Sequence, residues 1–150
     1  MATSDLKQRL AAAMQAAMRA RDAQRRDAIR LIQAEIQRFE IDRRVSADDD
    51  RILALLDRMT KQRRDSIAQY EAAGREALAE RERFEIAVIA EFLPEPLHEA
   101  EIDTLITAAI ADSGAASTRD MGKVMALLKP RLQGRADLGA VSGRVKARLG

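Results

Sequence analysis

From Met1 to Ala73 the chain contains neither proline nor glycine, and its first proline is Pro94. Proline removes a backbone donor and clashes with the preceding helical turn, while glycine costs about 1 kcal/mol in a helix interior. A run this long without either favours continuous helix. The full 150 residues hold only three prolines and seven glycines. Aromatic residues make up 3% and tryptophan is absent, so the core must be built from Leu, Ile, Val, Ala and Met, as in helix bundles. The expectation is an all-α fold. A chain of this length fits one ordinary domain or two small helical subdomains, and buries on the order of 70% of its unfolded surface without a staple.

Apolar spacing and capping residues divide the chain. Leu6, Leu10, Met14 and Met18 form one stripe on a first helix starting near Thr3 or Ser4. Asp22 or Asp27 caps a second helix carrying Ile29, Ile32, Ile36 and Phe39. Ser46 is the expected cap of a third, with Asp48 to Asp50 placing negative charge on the positive end of its dipole. That helix runs through Ile52, Leu55, Leu56, Met59 and Ile67 towards Gly74. A fourth spans about Glu76 to Phe92 and stops at LPEPL, where Pro94 and Pro96 disfavour helix. This proline hinge is the expected boundary between an N-terminal subdomain, 1–93, and a C-terminal one, 94–150. Beyond it a short fifth helix ends near Gly114, and Ser117 with Asp120 starts a sixth carrying Met121, Val124, Met125 and Leu128. Lys129-Pro130 should end or kink that helix. Asp137 then caps a last helix with Leu138, Val141, Val145 and Leu149.

The chemistry-bearing residues assemble into no catalytic set. There is no cysteine, hence no thiolate nucleophile or zinc–thiolate site. His98, the single histidine, has no partner at catalytic spacing. The three adjacent aspartates point in different directions on a helix and suit a solvated N-terminus better than a metal. Gly122-Lys123 fails as a phosphate-binding loop, because Gly114 is too far back and Val124 stands where a hydroxyl is needed. The six serines are scattered, so no serine-based amidase arrangement exists. No catalytic residue, metal site or cofactor is expected. The N-terminus lacks a signal-peptide core, and the longest uncharged apolar stretch, TLITAAIA, is eight residues, so a soluble cytoplasmic protein without a membrane segment is expected.

Charge is the informative property. The net charge is +2, but residues 94–112 carry five acids and no base, and residues 113–150 carry eight bases against two acids. Arg144 and Arg148 are four apart and share a helical face. With Lys129, Arg131 and Arg135 they could make a continuous positive patch able to neutralise phosphates, or could simply solvate a small helical unit. A second cluster, KQRRDS, sits on the third helix, where Arg64 and Asp65 are expected to be engaged in local ion pairs. The lack of aromatic platforms argues against single-strand reading and for folded RNA recognised by shape and backbone.

Four segments, KQRRDSIAQYEAAGR (61–75), EFLPEPL (91–97), DMGKVMALLKPRLQGRAD (120–137) and the following VSGRVKARL, together resemble the YqeY family. That family shares its domain with the C-terminal tail of the B subunit of the glutamine-dependent aspartyl/glutamyl-tRNA amidotransferase. The resemblance runs in order over nearly the whole chain. It implies a larger N-terminal subdomain of about four helices followed by a three-helix unit. It also implies a non-catalytic module for tRNA or structured RNA, since the tail helps to hold tRNA while amidation occurs elsewhere. Lys123, Lys129, Arg131 and Arg135 match the tail's basic segment, and Gly122 and Gly134 its small positions. His98 departs from the serine-like cap usual there. Stand-alone members inherit the description of carbon–nitrogen ligases with glutamine as amido-N donor. The alternative implied role is therefore an accessory subunit docking on an amidotransferase or another tRNA enzyme through the acidic 94–112 segment.

Overall fold

The structure is a computed structural model and describes residues 4–150; a helix start at Thr3 lies outside them. Every regular element among the described residues is helical: α1 (Asp5–Arg19), α2 (Ala23–Arg43), α3 (Asp49–Ala72), α4 (Glu76–Ala90), α5 (Glu99–Ser113), a 3-10 turn (Thr118–Asp120), α6 (Met121–Leu132) and α7 (Leu138–Leu149). The all-α expectation holds. The chain falls into two compact units, one ending at Leu93 and the other spanning Pro94–Gly150. Among the described residues no helix is long and apolar enough to cross a membrane.

Caps set most of the helix starts. The Ser4 hydroxyl accepts the Lys7 N–H at 3.2 Å, and the Asp22 carboxylate accepts the Arg25 N–H at 3.1 Å. At α3 the cap is Asp48 rather than Ser46, with the Arg51 N–H donating to its carboxylate at 2.9 Å. A charged acceptor at this position serves both the orphan donor and the helix dipole. Ser46 instead lies 3.2 Å from the Lys7 ammonium. Asp49 turns towards α1, where it accepts from the Ser4 hydroxyl and from the Leu6 N–H at 3.3 Å. The acidic start of one helix thereby ties down the start of another.

The ends follow backbone chemistry. Gly74, just past α3, and Gly114, just past α5, have φ of +71° and +68°, a region that side chains disfavour. α4 stops at Ala90, two residues before the expected end at Phe92. The N–H groups of Glu91 and Phe92 reach only three residues back, at 3.1 and 3.0 Å, tightening the chain ahead of Pro94.

The first unit closes over Leu10, Ile29, Ile32, Ile52, Leu56 and Ile89, with Phe92 packed below the end of α4. Each such side chain contributes about 1.5–3 kcal/mol on burial. α3 and α4 are also joined by a nearly buried ion cluster. Arg63, with 14% of its side chain exposed, donates to Glu85 at 2.8 Å and to the Met59 carbonyl at 3.3 Å, and lies 3.8 Å from Glu82. The residue of the KQRRDS segment engaged in ion pairs is thus Arg63; among the described residues Arg64 and Asp65 are exposed and form no ion pair. Four residues after Met59, Arg63 shares its buried face, whereas Arg64 is turned about 100° away.

Burial and then the Glu85 charge raise the Glu82 pKa above the usual glutamate value of 4.5, against the pull of Arg63. The native protein therefore holds this proton more tightly than the unfolded chain, and stability falls as pH rises through the window above 4.5. Glu82→Gln should raise the urea midpoint at pH 7, and that gain should vanish near pH 4, where both states are protonated.

Candidate nucleic-acid interface

The second unit presents the sequence-predicted cations, and its core dictates which of them reach solvent. Val124, Leu128 and Leu132 are spaced four apart on α6 and are fully buried against Ile102 and Ile106 of α5 and Val141 and Val145 of α7. Each residue one position earlier is rotated about 100° outward. Lys123, Leu127 and Arg131 consequently form an exposed row along α6. Lys129 lies about 240° round the helix from Lys123, on the other flank of the solvent face.

Of the two outcomes expected at Pro130, an end or a kink, the end does not occur there; α6 continues to Leu132. In this exposed last turn the ring removes one donor, the bond otherwise made to the Ala126 carbonyl, and the Gln133 N–H still closes on Lys129 at 3.0 Å. The chain then turns at Gly134, whose φ is +77°. Asp137 caps α7, accepting from the Gly139 N–H at 2.9 Å.

Two of the predicted cations are engaged within the unit. Glu99 and Asp103 are four apart on α5 and both meet Arg144, Glu99 at 2.8 Å. This leaves 29% of the Arg144 side chain exposed. Arg135 donates from Nε to the Glu95 carbonyl at 3.2 Å, and its own carbonyl accepts the Leu97 N–H at 2.9 Å. The pair of bonds fastens the 95–97 segment to the α6–α7 turn. At the other end of α6, Ser117 heads the 3-10 turn rather than α6, its hydroxyl accepting the Arg119 N–H at 3.3 Å. The Ala116 N–H donates to Asp120 at 2.9 Å and holds that carboxyl below the usual range. Asp120 reaches Lys123 only at 3.9 Å, with the lysine side chain 72% exposed. Lys129, Arg131 and Arg148 are exposed and form no ion pair among the described residues.

From Met121 to Gly150 the chain has seven basic residues and one acid, the cap Asp137. The structure brings Lys123 and Arg131 together on one row, sets Lys129 on the opposite flank of α6, and draws Arg144 down onto α5. Arg144 and Arg148 are one turn apart on α7, but among the described residues Arg144 is ion-paired and Arg148 is not. Sequence reasoning passed over Leu127, whose four-residue spacing from both Lys123 and Arg131 was the available signal.

The model of a family described as "Yqey-like protein" matches residues 7–149. The chain is also similar to altered inheritance of mitochondria protein 41, mitochondrial, from Pyrenophora tritici-repentis. The two are 30% identical over 145 residues, which cover 95% of this chain and 80% of that protein.

The pairing of Arg144 has a measurable signature. Arg144→Ala should lower stability by about 0.5–1 kcal/mol in low salt, an effect largely screened in 1 M NaCl, while Arg148→Ala should leave it within about 0.5 kcal/mol. Urea unfolding at the two salt concentrations checks both.

Proposed function

The chain belongs to the YqeY family, and on that premise we propose that it is a non-catalytic RNA-binding module taking tRNA or a similarly folded RNA. The observation that carries the reading is the surface of α6 and α7, where Lys123, Lys129, Arg131 and Arg148 stand exposed with no acid but Asp137 along the whole stretch. Such cations release counterions from a phosphate backbone and bind without reading sequence. In this reading residues 94–150 are the tail-like subdomain that holds RNA, and residues 1–93 are a separate helical subdomain. Arg135 and Arg144 support the surface from within rather than meeting phosphate as primary contacts. We place the module in the cytoplasm and assign it no amide transfer.

The competing role, an accessory subunit docking on an amidotransferase through residues 94–112, is less well supported. Glu99 and Asp103, two of the five acids in that segment, are already occupied by Arg144.

Lys129→Glu combined with Arg131→Glu is the direct test. Both side chains are exposed, so the thermal midpoint should stay within about 3 °C of wild type. Affinity for a tRNA transcript at 100 mM salt should fall at least about tenfold, and the slope of log affinity against log salt should flatten by about two. Unchanged binding would sink the assignment of this surface.

A further inference from the structure

We infer that Leu127 is an apolar contact to an unstacked nucleotide, so that α6 selects RNA with open loops over continuous duplex; this rests on the RNA reading above. All four aromatic residues, Phe39, Tyr70, Phe84 and Phe92, precede the second unit. Residues 94–150 therefore hold no Phe, Tyr or Trp on which a base could stack. Within them Leu127, 46% exposed, is the one large apolar side chain standing out among the described residues.

Its position gives that exposure meaning. Lys123 and Arg131 lie one turn to either side of it on the same row, about 6 Å along the axis in each direction. A cation on each flank can hold phosphates while the leucine between them covers an apolar face. The neighbouring surface does not obstruct such an approach. Gly122 has open space where a side chain would begin, and Ala126 is exposed and short. Pro130 cannot donate to the Ala126 carbonyl, so that oxygen lacks its usual helical donor.

A protein or membrane occupant fits this face less well. One isolated leucine is too small an apolar area for a helix-docking seam or for insertion into lipid. The flanking cations, with no acid on α6, complement a polyanion. Paired RNA in turn offers a leucine on a rigid helix little to cover, because its bases are stacked and its major groove is deep and narrow. Loops and corners expose base faces.

Leu127→Ala tests the inference, and alanine at an exposed helical site preserves the fold. The probes are a tRNA transcript and a blunt, fully paired RNA of the same nucleotide count. Burial of the exposed half of a leucine predicts that the variant binds the transcript about fivefold more weakly, with an unchanged salt slope, and binds the duplex as wild type does. Wild-type affinity of the variant for the transcript, or an equal loss on both RNAs, overturns the inference alone. Wild-type protein that retains neither RNA overturns the RNA reading and this inference with it. A concentration-dependent dimer that Leu127→Ala dissociates assigns the face to a second copy of the chain and also overturns it.

Discussion

Close packing of branched aliphatic side chains at three- and four-residue intervals holds each unit together, and everything exposed is set by it. Without tryptophan, and with its phenylalanines and tyrosine confined to the first unit, the chain gives the second no large aromatic ring with which to bridge a loose gap. Its helices must approach closely enough for valine, leucine and isoleucine to interlock. Once Val124, Leu128 and Leu132 face inward, the helix leaves no freedom over what faces outward. The surface of α6 is a by-product of its core, which fixes the outward positions of Lys123, Leu127 and Arg131 along the helix.

Electrostatics acts on this frame in two ways. Cations that face another helix are drawn into pairs, as Arg63 is by Glu82 and Glu85 and Arg144 by Glu99 and Asp103. Among the described residues, Lys129 and Arg131 on the outer side of α6 have no such neighbour, and Lys123 has only Asp120 at 3.9 Å. Part of the acidic 94–112 block folds onto part of the basic block that follows it, so the surplus positive charge is concentrated on α6 and the last turn of α7. Formal charge by segment conceals this, because it counts engaged and free groups alike.

Local chemistry was legible in the sequence where it depended on neighbours within a turn. Asp22, Asp137, Gly74 and Gly114 act where their residue types suggest. Asp48 and Ser46 were harder to separate, since both can cap. The choice depends on Lys7 and Ser4, some forty residues away, which engage Ser46 and Asp49 and leave Asp48 to cap. Pro130 stands two residues inside the end of α6, because a proline in a final, exposed turn costs one hydrogen bond rather than a helix. The engagement of Arg144 could not be foreseen from α7 alone, for its partners lie 41 and 45 residues earlier on α5. Periodicity reports which face a residue occupies, and only tertiary packing reports what it meets there.

The two bonds between Arg135 and the 95–97 segment bear on how the second unit could be handled alone. An excised piece starting at Glu99, the first residue of α5, would discard the Glu95 carbonyl and the Leu97 N–H. Arg135 would then lose both anchors, and the α6–α7 turn would be freed at the place where the two basic helices meet. The smallest portable version of this unit therefore begins before Glu95, inside a stretch that contains no helix at all.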